Sequence, residues 1–259
     1  MFIDSHCHLD FPDLAQNIDA VLAKMHENNV RYGLCISVNL RDFPNVLAVA
    51  EAHDHLFATV GIHPDYENED EPTVDELARL AQHPKVIGIG ETGLDYYRLQ
   101  GDLEWQRQRF RVHIRAAIAA GKPLIIHTRE SAADTIRILR EEHAEQVGGV
   151  MHCFTETWEI AQQAMELGFY ISFSGIVTFK NAVALKELAQ KVPLDRMLIE
   201  TDSPYLAPVP FRGKTNQPGY VKHVAEEIAA LRGISLDEVG EATSANFFRL
   251  FKQAAALCN

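Results

Sequence analysis

The chain has no apolar run approaching the roughly 20 residues that a bilayer span requires. Its opening, MFIDSHCHLD, lacks the basic and apolar regions of a secretory signal. Cysteine is sparse: Cys7, Cys35, Cys153 and Cys258 are scattered without a CxxC pair, and they read as reduced, mostly buried thiols. These absences predict a cytoplasmic protein with no membrane contact. Neither GxGxxG nor a Walker A pattern occurs, so the usual fingerprints of an open doubly wound sheet are missing. No low-complexity tract, Pro/Gly linker or break in composition divides the chain, so a single domain over 1–259 is expected. Positive charge is also short. With 24 Lys+Arg against 36 Asp+Glu the net charge is −12. A protein that coats duplex nucleic acid is normally basic, because phosphate neutralisation supplies most of that affinity. Tight non-specific duplex binding is thereby disfavoured. A nuclease is not, since bound metal ions reverse the local electrostatics.

The 259 residues match the usual size of one TIM-type barrel, and hydrophobic residues at 47% suffice for a large core. Short apolar runs alternate with amphipathic stretches throughout. The runs lie near 1–8, 32–38, 56–63, 86–91, 123–127, 149–152, 169–173 and 197–202. Short and mostly apolar, they read as parallel strands covered on both faces. Between them are helical patterns. Val74, Leu77, Ala78 and Ala81 share a face behind a Thr73/Glu76 capping box. A longer helix is expected over 102–120, striped by Phe110, Ile114 and Ala117. Ser235 and Glu238 cap a last helix, and Gly121, Gly168 and Gly233 stand at helix ends. Eight strands alternating with helices predict an α/β fold, a TIM-type (β/α)8 barrel.

The 12 histidines are not spread evenly. His6, His8, His63, His127 and His152 fall at the C-terminal ends of expected strands, as do Glu91 and Asp202. Barrel enzymes keep their active sites on that face. His6 and His8 alternate on one strand, so both rings can point into the mouth while Cys7 points to the helices. Asp4 is expected on the same face, one layer deeper, either orienting a ligand or hydrogen-bonded in the core. Glu91 lies in GIGETGLDY, where Gly88 and Gly90 keep the strand slim and Gly93 lets a loop turn. Its two oxygens can bridge two metals; a capping or salt-bridged acid is the alternative. His127 and His152 each close an apolar run, and a core histidine is the alternative for either one alone. Asp202 can bind a metal or hold a proton, while Glu200, two residues back, reads as supporting or structural. Together these side chains supply six ligands, enough for two divalent ions sharing one carboxylate. The mixed imidazole and carboxylate set suits Zn, Mn, Fe or Co, and Mg less comfortably.

The segment after the eighth run, SPYLAPVPFRGKTNQPG, carries Tyr205, Arg212, Lys214 and Asn216, and Arg129 follows His127. Late loops of a barrel often bind phosphate. This basic and aromatic rim suits a phosphate backbone and a stacked base; a solvated surface loop is the alternative.

In these residues the chain resembles the TatD family of metal-dependent deoxyribonucleases, within the amidohydrolase-like barrels, and is most similar to its YcfH-type branch. DSHCHLD, GETGLDY, IIHTRE, HCF, ETDSPYLAP and RGK-N-P stand in order along nearly the whole chain. The resemblance implies one metal held by His6, His8, Glu91 and Asp202, and a second held by Glu91, His127 and His152. It implies that His63 contacts substrate or an anion, and that Arg129 and the Arg212–Asn216 segment grip phosphates. It further implies a DNA substrate, single-stranded or with an accessible 3′ end, cut as a 3′–5′ exonuclease, usually with magnesium. No obligatory protein partner is evident. Two-metal hydrolysis of a phosphodiester, with Asp202 accepting the proton, is the expected mechanism. An amidohydrolase or esterase using the same frame on a carbonyl is the competitor, and a metal-loaded binding protein is a further one. Cys7 and Cys153 are expected to face the helices.

Overall fold

Eight parallel strands alternate with helices around one barrel in a computed structural model that describes residues 1–67 and 69–258. The strands are β1 Phe2–Cys7, β2 Val30–Cys35, β3 Leu56–Val60, β4 Val86–Asp95, β5 Leu124–Arg129, β6 Gly149–Met151, β7 Phe169–Phe173 and β8 Met197–Ile199. The helices are α1 Pro12–Ala15, α2 Ile18–Glu27, α3 Phe43–Ala52, α4 Val74–Leu80, α5 Glu104–Ala120, α6 Ala132–Glu141, α7 Trp158–Glu166, α8 Val183–Lys191, α9 Val221–Arg232, α10 Leu236–Leu250 and α11 Lys252–Leu257. The strands pair in sequence order from β1 to β8. A bridge between Cys7 and Ser203 joins the two ends of the sheet. The expected (β/α)8 barrel is therefore the observed one.

Two apolar layers account for the strands being buried on both faces. The interior layer takes Ile3, Leu34, Phe57, Ile87, Ile125, Val150, Tyr170 and Leu198, one from each strand, and Phe247 and Phe251 close it from below. The outer layer packs the opposite strand faces against the helices. Helix α5 buries Phe110, Ile114 and Ala117 as expected and ends at Gly121, which is left-handed. Ser235 and Glu238 form a complete capping box, whereas at α4 the Thr73 hydroxyl accepts from the Glu76 amide. No helix among the described residues is long and apolar enough to cross a membrane.

Three details differ from expectation. First, β4 and β5 run beyond Glu91 and His127, because Thr92 to Asp95 go on pairing with Ile126 to Arg129. Glu91 and His127 thus lie inside strands. Gly93 is a strand residue and not a loop residue, with φ +139°. Any Cβ there would sit 1.9 Å from the His127 carbonyl oxygen. Second, Ile3 is interior while Cys7 belongs to the outer layer, which strict alternation over four residues forbids. The β1–β2 register slips between Asp4 and Cys7, and this irregularity re-aims His6 and His8 into the mouth. Asp4 is the hydrogen-bonded core acid of the two readings: it accepts from the Thr201 amide and hydroxyl across the β1–β8 seam and from the His6 amide. Third, Cys153 does not face the helices. Left-handed at φ 42°, it turns its thiol to Ser174 and lines the cleft.

Candidate metal centre

The barrel closes at its own active face. The Asp202 amide donates to the His6 carbonyl (2.9 Å), and the His8 amide to the Ser203 carbonyl (2.9 Å). This seam holds the first and last candidate ligands side by side. Asp202 takes the left-handed conformation (φ 56°), which aspartate tolerates better than most residues. His6 Nε2 lies 3.3 Å from Glu91 Oε2 and 3.5 Å from Asp202 Oδ1, and His8 Nε2 lies 3.5 Å from the same Asp202 oxygen. The other Glu91 oxygen, Oε1, faces three imidazoles: His152 Nε2 at 2.8 Å, His127 Nδ1 at 3.1 Å and His63 Nε2 at 3.4 Å.

Most of these rings are held from behind. His152 Nδ1 meets Glu200 Oε1 at 3.1 Å, and His127 Nε2 meets Asp95 Oδ2 at 3.1 Å. His63 Nδ1 meets Asp65, and His8 Nδ1 meets the Ile36 carbonyl at 3.2 Å. An imidazole anchored backwards through one nitrogen turns the other to the centre, where it ligates a cation on giving up its proton. Helix α5 supports the loops that carry these partners. Gln106, fully buried, accepts from the Asp95 amide and donates to the Pro64 and Asp95 carbonyls. One turn on, Arg109 donates to the Tyr66 carbonyl, and His113 Nε2 accepts from the Ile62 amide.

Electrostatics keep the carboxylates charged. Burial pushes Glu91 up, but His152, His63, His6 and His127 around it hold it well below the usual carboxylate range. Asp202 behaves alike: burial raises it, and His8, His6 and His152 more than offset this. Burial lowers His6, favouring the neutral ring.

The donor set fits divalent metal. Three groups have ligand atoms within 4.8 Å of one another: His6, His152 and Asp202; His6, His8 and Glu91; and His63, Glu91 and His127. Both ring nitrogens of His6 are buried without a hydrogen-bond partner among the described residues. A polar group left so inside a protein is costly, and a cation on Nε2 resolves part of that cost. The geometry thus brings all six sequence-derived ligands together. It also places His63, expected only beside the site, within reach of Glu91 and His127.

Above the ligands opens a cleft of about 600 Å³. Arg98 and Arg129 line it along with Phe11, Tyr66, Ile176 and Tyr205. Arg129 and Tyr205 therefore stand where the sequence put them. Arg212, Lys214 and Asn216 are not among the lining residues. The Arg212 guanidinium lies 3.7 Å over the Phe179 ring, and Lys214 Nζ lies 5.8 Å from the Phe211 ring centre. Asn216 is fully buried and donates to the Thr201 and Tyr205 carbonyls, so it shapes the loop from inside. Sequence reasoning missed Phe11, Asp65, Asp95, Arg98 and Gln106. The only signal for Asp95 was its place in GETGLDY; the others carried none.

A sequence profile described as TatD related DNase matches residues 3–252. The chain is 47% identical over 252 residues to the uncharacterized metal-dependent hydrolase YcfH of Escherichia coli K12, covering 96% of this chain and 95% of the relative. It is 31% identical over 255 residues to a 3'-5' ssDNA/RNA exonuclease TatD of Erwinia tasmaniensis, covering 96% and 98%. Among solved structures, YJJV, a TatD homolog from E. coli K12, superposes with a TM-score of 0.90 at 30% identity, covering 97% and 98%.

Proposed function

This chain belongs to the TatD related DNase family and is a metal-dependent hydrolase, and from that premise we propose that it hydrolyses phosphodiester bonds of single-stranded DNA from the 3′ end. The observation that carries the reading is the cleft wall. Two arginines and three aromatic rings, Phe11, Tyr66 and the exposed Tyr205, line the cleft above a centre built from two ionised carboxylates and five imidazoles. A phosphate needs the cations and a base needs the rings, whereas a carbonyl substrate needs neither. The similarity to a named 3'-5' exonuclease supports the polarity. Four free cysteines suit a reducing, cytoplasmic setting.

His6, His8, Glu91 and Asp202 would hold one ion, and Glu91, His127 and His152 a second, with Mg, Mn, Zn or Co as candidates. Ions bound there supply Lewis acidity toward a phosphoryl oxygen and acidify water. The chain does the rest. Glu91, ringed by imidazoles, keeps its charge and its position. Of the two carboxylates among the candidate ligands, Asp202 is the one the substrate can reach: its side chain is 17% exposed, against 4% for Glu91, and the equally exposed Asp65 is tied to His63 and Arg98. Asp202 takes the proton of the attacking water on Oδ1 or Oδ2. Arg129 and Arg98 neutralise the phosphate, Tyr205 takes a base, and His63, fixed by Asp65, faces the reacting group.

The test is metal add-back. The stripped protein is given Mg, Mn, Zn or Co singly, with a 5′-labelled single-stranded oligonucleotide and the His127→Ala variant alongside. A metal-dependent ladder shortening from the 3′ end, absent in the variant, is expected. An intact oligonucleotide with metal bound would falsify the nuclease reading and turn attention to esters and amides.

A further inference from the structure

We propose that Tyr97 and Arg129 form a second nucleobase platform, across the mouth from Tyr205, so that the substrate strand lies over the metal centre with a base held on each side. This rests on the nucleic-acid reading above and adds a contact that reading does not contain.

Among the described residues six large apolar side chains are strongly exposed, and only two are aromatic: Tyr97 at 55% and Tyr205 at 56%. Scattered exposed apolar residues need no explanation. These two are not scattered. Tyr97 follows β4 and Tyr205 follows β8, strands four apart in a ring of eight; Tyr205 lines the cleft, and Tyr97, outside its lining, adjoins two residues that do line it, Arg98 in sequence and Arg129 through its ring contact. The Tyr97 loop is also fixed to the ligands. Asp95 Oδ1 accepts from the Tyr97 amide (3.0 Å) and the Arg98 amide (2.8 Å), while Asp95 Oδ2 bonds His127 Nε2. An exposed ring is thus held at a set distance from the centre.

Arg129 completes the platform. It pairs with Asp95 in the β4–β5 register, which brings its guanidinium to 3.8 Å over the Tyr97 ring. It has no carboxylate partner among the described residues, in a chain where acids outnumber Lys+Arg by 36 to 24. The neighbouring Arg98, by contrast, is tied to Asp65. A stacked, unpaired guanidinium offers a flat face to a base and a charge to its phosphate. Stacking is sequence-tolerant, because every base has a π-face. A duplex hides those faces, so the arrangement selects a single strand of at least two nucleotides.

The test compares two substrates on the metal-loaded enzyme. One is a single-stranded dodecamer. The other is methyl p-nitrophenyl phosphate, a diester with one ring. The ratio of their kcat/KM values is measured for wild type, Tyr97→Ala and Tyr97→Phe. In Tyr97→Ala the ratio is expected to fall about tenfold, through KM for the dodecamer. Phenylalanine should restore it, since the ring and not the hydroxyl does the stacking. A second measurement moves a single abasic site along the dodecamer. One position near the cut should weaken wild type about tenfold and leave Tyr97→Ala indifferent. If wild type degrades the dodecamer and the ratio is the same in Tyr97→Ala, the platform is wrong while the nuclease stands. If wild type cleaves the small diester alone, the nucleic-acid reading fails and the platform with it.

Discussion

Glu200 Oε1 stands 3.1 Å from Nδ1 of His152, behind the ring whose Nε2 lies 2.8 Å from Glu91. The same oxygen accepts from the Cys153 amide, and the Glu200 side chain is wholly buried. Asp95 stands in the same way behind His127. Carboxylates so placed fix the ring and raise its basicity toward a cation.

Glu200→Gln keeps the shape and can still accept from His152 and Cys153, but it loses the charge. Metal affinity should fall about 10- to 100-fold, with folding retained. Competition against a chromogenic chelator measures it. Wild-type affinity in this variant would show that the charge behind His152 contributes nothing.

Gln106→Met removes three hydrogen bonds that tie the loop carrying His63 and Asp65 to the end of β4. A drop of at least about tenfold in kcat is expected, from small misplacement of catalytic groups. The control is Asn246, another buried amide, which bonds the Leu194 and Met197 carbonyls at the start of β8. Asn246→Leu should lower the melting temperature with little change in kcat of the folded enzyme. Equal kcat losses in both variants would reduce Gln106 to a general stabiliser.

Gly93→Ala places a methyl group 1.9 Å from the His127 carbonyl oxygen, at φ +139°. Backbone must move, and His127 with it. Loss of soluble protein or of metal loading is expected, read by circular dichroism and metal analysis. Gly101→Ala is the comparison: its φ is +98°, but among the described residues nothing lies within 4 Å of the added methyl group. It should cost on the order of 1 kcal/mol, the strain of the backbone alone. Full metal content and normal melting in Gly93→Ala would contradict the close approach.

His113 is buried in α5, and burial lowers its pKa from 6.5 to about 4. Its Nε2 accepts from the Ile62 amide, which demands the neutral ring. Above pH 6.5 the ring is neutral folded or unfolded, and it adds no pH dependence. Between pH 6.5 and 4 the unfolded chain binds the proton more readily, so stability falls with falling pH, by about 3 kcal/mol in all. Urea unfolding of His113→Gln at pH 7, 6 and 5 should show a shallower acid slope than wild type. Parallel slopes would assign the acid sensitivity to other groups.

The sequence by itself determined the barrel, because eight short apolar runs separated by amphipathic helices leave few ways to bury both faces of every strand. It also named the candidate ligands, since His6, His8, His127, His152, Glu91 and Asp202 each close or follow such a run, and the C-terminal ends of barrel strands meet in one place. Tertiary structure decided what depends on neighbours distant in the chain. The slip of β1 against β2 chose which face His6 presents, and continued β4–β5 pairing put Glu91 and His127 inside strands, with Gly93 beside His127. Cys153 and Asn216 exchanged their expected places because one backbone turned left-handed and one amide found two carbonyls. Gln106, Asp65 and Arg98 act through contacts made only when α5 and two loops pack together. Hydrogen bonds across such gaps leave no period or spacing in a sequence, whereas burial does.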